Sequence, residues 1–287
     1  MIWFIFALLT AFAVATRDIS VKTYQELNAL EVAGIELFWS IPLFALGFFF
    51  VPQPELDQTF WEVFLISLPL NAVPYLLYLY AIKVSPISLA VPFLSFTPLF
   101  MLFTGFITLD ETINLWGGAG ILCIVCGSYV LNLDQAKHGI FKPLTAFIHE
   151  RGSWVMLIVA FLYAFAAAFG KKALLHSSPL YFSYFFFLVF NCLILAGLIL
   201  SGKIRWGVIL DHKKKGMWLG GLFMSQITTH YVAISLSTAV YMIAVKRSSI
   251  LLTVLLSWLI LKEGNIRNRG LGALLMFCGV LLITLFG

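Results

Sequence analysis

Charge is what this sequence has least of. Asp, Glu, Lys and Arg make up 11% of its 287 residues, against 61% apolar residues, whereas a soluble domain carries about 25% charged residues. That scarcity excludes an ordinary soluble fold. Long polar stretches are missing as well, since the longest polar intervals, 134–151 and 203–215, are loop-sized. Enzyme signatures are absent. There is no His-Glu-x-x-His, no P-loop and no nucleophile motif, so the sequence implies no catalysis, cofactor or metal site. Cysteine is sparse: the four (Cys123, Cys126, Cys192, Cys278) all fall in apolar runs. Cys123-x-x-Cys126 has redox spacing but no βαβ context, so it reads as small residues packed between helices.

What the chain does have is long uncharged runs, at 37–54, 63–82, 84–109, 112–133, 152–170, 173–202, 216–245 and 270–287. A bilayer core about 30 Å thick takes roughly 20 apolar residues as a helix, and backbone groups in lipid must be satisfied within the segment. The runs are therefore predicted transmembrane helices. The stretch 1–15 imitates a signal peptide but has no basic residue before Arg17, so it is read as helix 1. The excess of Lys and Arg reflects their placement in loops and not a nucleic-acid partner.

The chain also repeats itself. A shift of 152 residues aligns 81–132 with 233–284 without a gap, and 11 of the 52 pairs are identical, among them Glu111/Glu263, Gly118/Gly270, Gly120/Gly272 and Gly127/Gly279. Neighbouring offsets pair 3–15 with 154–166 and 28–38 with 178–188. The register divides the long run at 216–245, placing helix 8 at about 216–235 and helix 9 at about 239–261. The expected fold is an all-α integral membrane protein of ten transmembrane helices. It consists of one five-helix repeat at 1–135, a linking loop at 136–152 and a second repeat at 153–287. Because five is odd, the second half is inverted, a design in which substrates bind near the midplane between repeats. Fourteen Lys and Arg fall in the loops of one side and two on the other, which by the positive-inside rule puts both termini outside the cytoplasm.

The paired segments resemble the drug/metabolite transporter superfamily, in particular its EamA-type bacterial members. In each half a long helix, an acidic residue, a short turn and a Gly-bearing helix follow one another: 98–109, Asp110-Glu111 and 117–127, then 250–261, Lys262-Glu263 and 270–279. The resemblance covers nearly the whole chain. It implies transport across a membrane, here the bacterial inner membrane, and leaves the substrate open. Many members keep both termini cytoplasmic, a departure from the charge count here.

Lys246-Arg247 lies near the middle of helix 9, where each Lys or Arg facing lipid costs about 2.5–3.5 kcal/mol. The repeat mates are Leu94 and Ser95, so the fold itself needs no charge there. The pair is expected to face a wet cavity and hold an anion; the structural alternative is a salt bridge to Glu36 in helix 2. The pair is similar to the phosphate-coordinating one of plastid sugar-phosphate and nucleotide-sugar branches. Leu94 stands where those sugar-phosphate members use a helix-4 Lys, so the full clamp is absent. Asn71, Tyr75 and Tyr78 share one face of helix 3, and Gln226 and His230 one face of helix 8; all five are candidate substrate contacts. Glu111 and Glu263, at helix ends, are expected to anchor the turns that follow. Prolines 69, 74, 86, 92 and 98 are expected to kink helices 3 and 4, with no such residue in helices 8 and 9. Gly216-x-x-x-Gly220 suits close helix packing and also admits a homodimer contact. The expected function is secondary transport of a small polar anionic or zwitterionic metabolite. Efflux of amphiphilic compounds, or a membrane enzyme or lipid-handling protein gripping a phosphate head group, are the alternatives.

Overall fold

The computed structural model describes residues 2–130, 150–262 and 270–287, and among these the chain is helical with no strand. The first half comprises α1 (Ile2–Thr23), α2 (Ala29–Phe49), α3 (Gln58–Val84), α4 and α5 (Leu115–Val130). Here α4 runs from a turn at Ile87–Ala90 through a 3-10 segment, Val91–Ser95, into Phe96–Leu109. The second half comprises α6 (Arg151–Leu175), α7 (Pro179–Leu200), α8 (Lys213–Ser235), α9 and α10 (Gly270–Phe286). Three segments make up α9: Ala239–Lys246, Ser248–Leu256 and a π turn at Ser257–Leu261.

Among the described residues, α1 to α4, α6, α7 and α9 are the seven spans long and apolar enough to cross a membrane. The apolar helices α5 and α10 are shorter, and α8 opens on three lysines. The usual distribution of polarity is turned inside out. Phe49, Phe103, Leu115 and Leu200 lie exposed, while Arg17, Asp18, Glu36, Asn191 and Arg247 are buried. Only a solvent of hydrocarbon makes that arrangement favourable, so this is a multi-pass integral membrane protein.

The helices start where local chemistry says they should. Asn28 and Glu31 form a capping box at α2, and Asp57, Ser178 and Thr238 accept from first-turn amides of α3, α7 and α9.

Repeat mates meet running in opposite directions. Along α2 and α7, Ser40 meets Asn191 and Phe44 meets Phe187, while Phe48 meets Tyr181. Along α5 and α10, Gly120 lies against Gly279 and Gly127 against Gly272. A Cβ on Gly120 would stand 2.7 Å from the Gly279 carbonyl oxygen, so only glycine lets these backbones touch. Equivalent contacts recur on both sides. Lys22 Nζ donates to the Ser85 carbonyl at 2.8 Å, and Lys171 Nζ donates to the Ser237 carbonyl, its repeat mate, at 2.6 Å. Likewise Glu26 pairs with Lys215 in the first turn of α8, and His176 pairs with Asp57, the cap residue of α3.

Proline interrupts α4 as expected, since Pro92 opens its 3-10 segment, but it does not interrupt α3. The helix α3 runs unbroken through Pro69 and Pro74, whose lost hydrogen bonds fall inside a 27-residue span held by its neighbours. In contrast α9, which has no proline, is interrupted between Lys246 and Ser248. Arg247 is the repeat mate of Ser95, where the 3-10 segment of α4 ends. Both helices are thus discontinuous at the same depth.

Candidate functional site

A cavity opens at that depth, between the two halves. It is lined from α3 by Asn71, Tyr75 and Tyr78, from α8 by Gln226 and His230, and from α9 by Lys246 and Arg247. All seven residues expected from the sequence to contact substrate therefore face one space. Arg17 of α1, Tyr163 of α6, Phe187 and Phe190 of α7, and Phe223 of α8 complete much of its wall.

The interruption of α9 puts Arg247 here. Its φ and ψ are −65° and −8°, close to helical, so the interruption carries no backbone strain. Arg247 is 5% exposed and donates from Nη2 to Thr97 Oγ1 of α4 at 2.8 Å, while its Nε has no protein partner. Lys246 is half-buried beside it. Three further polar atoms in the cavity wall are unpartnered, the Tyr75 hydroxyl, Gln226 Oε1 and His230 Nδ1. Unpaired buried polar atoms are costly, and those in a cavity wall are where a ligand or water would be held. The others differ in availability. Asn71 donates to the Ser67 carbonyl of its own helix at 2.8 Å, and the Tyr78 hydroxyl donates to Asp18 Oδ1 at 2.5 Å.

Glu36 does not serve Lys246-Arg247. It is fully buried and takes a bidentate pair from Arg17, Nε to Oε1 at 2.7 Å and Nη2 to Oε2 at 2.9 Å. The planar fork of a guanidinium matches both carboxylate oxygens, and it leaves nothing for α9. Arg17 is also ringed by Tyr75, Tyr78 and Phe223, with each centroid 5.6–5.7 Å from Cζ. The sequence suggests a short helix 1 that either ends near Arg17 or extends past it with Arg17 snorkelling, whereas α1 continues to Thr23 and Arg17 is buried. Arg17 and Asp18 are the polar residues that sequence reasoning missed. The repeat carried the signal: subtracting the 151-residue offset of Trp3 and Trp154 from the end of α6 puts the end of α1 near residue 24.

Glu111 anchors, but not the turn that follows it. Its carboxylate accepts from Lys171 Nζ at 2.5 Å and from the Ala239 amide at 2.8 and 3.0 Å, capping α9 in the other half. Glu263 lies outside the described residues. Gly216 and Gly220 are used within the chain, with Trp39 and Ser40 of α2 filling the space their side chains would take.

The geometry describes a helical membrane protein whose two similar halves enclose a polar, cationic cavity. The chain belongs to the EamA-like transporter family, which it matches over residues 1–133 and again over 150–285. Among solved structures, one crystal structure aligns with a TM-score of 0.69 and 14% identity, covering 98% of this chain and 99% of that one; at that identity the likeness shows the fold. No curated protein matches the sequence.

Proposed function

We propose that the protein is a secondary transporter that carries a small anionic or zwitterionic metabolite by alternating access. In this reading ten membrane helices form two inverted five-helix repeats, 1–135 and 153–287, in a bacterial cytoplasmic membrane. The observation that carries the reading is Arg247. It is a buried cation, at a helix break midway along its span, with a neutral hydroxyl as its hydrogen-bond partner and an unpartnered Nε. An anion in the cavity would complete it. Lys246 adds attraction, and Gln226 and His230 offer hydrogen bonds from the facing helix. The antiparallel contact of α2 with α7 and of α5 with α10 supports inversion, because mates that cross a two-fold axis in the membrane plane must run in opposite directions.

Alternating access is tested by placing one cysteine in the cavity wall, Ala167→Cys, in a chain whose four native cysteines are replaced by serine. Membrane-impermeant thiol reagents should label it from either side of oriented vesicles, and a bound anion should slow both reactions. Labelling confined to one side under every ligand condition would rule the proposal out.

A further inference from the structure

The charges around the cavity do not cancel. Arg17 and Glu36 neutralise one another in their bidentate pair. Taken at formal charge, Asp18, a buried carboxylate that accepts from Tyr78 and Thr253, offsets Lys246. Arg247 remains. Among the described residues, every carboxylate buried beside the cavity is then accounted for, and the bond to Thr97 brings Arg247 no negative charge. The cavity carries one surplus positive charge, and in a low-dielectric surround that is best met by one negative charge.

Another part of the wall has a different character. Packing of α9 is against α1 and α4, while α7 packs against α2 and α8, so the cationic pair and the α7 side chains reach the cavity from different helices. On the α7 side Phe187, Phe190, Phe223 and Tyr75 form one ring cluster, with neighbouring centroids 5.6–5.9 Å apart. Aromatic faces of this kind hold flat apolar groups in offset or edge contact.

We propose that the ligand is an organic monoanion with an aromatic body, its carboxylate against Arg247 and Lys246 and its ring against Phe187, Phe190 and Phe223. The inference rests on the transport reading above and narrows it. A dianion would leave one negative charge unmatched, a free amino acid would leave the positive charge unmatched, and a small hydrophilic anion would leave the aromatic wall without contact.

Ligand-dependent thermal shift on the purified full chain near neutral pH separates these cases, with phenylacetate set against acetate, succinate, inorganic phosphate, phenylalanine and phenethylamine. Phenylacetate should bind at least about tenfold more tightly than any of the others, the usual value of one well-placed charged hydrogen bond or buried ring. Arg247→Gln should lower its affinity at least about tenfold. Phe190→Ala should narrow the preference for phenylacetate over acetate and leave the preference over phenethylamine unchanged. Should Arg247→Gln fail to fold, Phe190→Ala and the wild-type ranking still decide. Succinate, phosphate or phenylalanine binding as tightly as phenylacetate would refute the charge count while leaving an anion or zwitterion transporter intact. Acetate binding as tightly would refute the aromatic body alone. Tightest binding by phenethylamine would overturn both the monoanion and the anion-transport reading, and no shift with phenylacetate at millimolar concentration would overturn the proposal.

Discussion

Glu36 has no exposed surface, so its charge persists in the bundle only because Arg17 meets both oxygens. Replacing Arg17 by Met should strand that carboxylate and cost about 3–5 kcal/mol. The double replacement Arg17→Met/Glu36→Leu should recover most of the loss, because removing both charges removes the desolvation penalty. Thermal unfolding in detergent checks both, and a double variant no more stable than the single would deny the pair its role. At this scale the sequence revealed the lone charges and not their partners. Lys246-Arg247, Gln226, His230, Asn71, Tyr75 and Tyr78 stood out because polarity in an apolar run needs a reason, and they do converge on one cavity. Glu36 stood out for the same reason, but its partner depends on which way α1 turns Arg17, and an apolar stretch ending in a charge does not say where the helix stops.

Helix boundaries were legible wherever the repeat supplied a second copy. The division of the 216–245 run places α8 and α9 within a few residues of their observed limits. Interruptions were legible only in part: α4 is interrupted where Pro92 stands, while α3 is one continuous helix with two prolines and α9 is interrupted with none. One polar tie between the halves is Glu111 at the start of α9. Glu111→Ala should remove the cap, worth about 0.5–2 kcal/mol, and also leave Lys171 without its carboxylate. Adding Lys171→Met should restore part of the lost stability, as read by unfolding temperature; a Glu111→Ala chain as stable as wild type would contradict the assignment. At the α5–α10 crossing, Gly120→Val should force the backbones apart and cost about 1–3 kcal/mol, checked in the same way.

Across the whole molecule, two equivalent polar contacts between the halves stand at opposite ends of the bundle. Glu26–Lys215 ties the α1–α2 turn to α8, and His176–Asp57 ties the α6–α7 turn to α3. At the first, the Glu26 carboxyl is held below its usual range chiefly by the hydrogen bond from Lys215. Its contribution is therefore present above the ordinary carboxylate range and lost as the pH falls through the lowered value. Under the alternating access proposed above, rocking of one half against the other would loosen each pair in turn. A reducible bismaleimide between Glu26→Cys and Lys215→Cys should slow transport at least about tenfold, a barrier change near 1.4 kcal/mol, and reduction should restore it; undiminished transport in the linked protein would contradict rocking at this face. The repeat was legible in the sequence because glycines and glutamates recur in one register, while the cavity walls, drawn from α1, α3, α4, α6, α7, α8 and α9, needed the three-dimensional arrangement. The most direct test of the central claim is uptake of a labelled organic anion into proteoliposomes, wild type beside Arg247→Gln at matched reconstitution. Wild type should accumulate the anion and the variant, though folded, should not; equal uptake by both would contradict a transport site centred on Arg247.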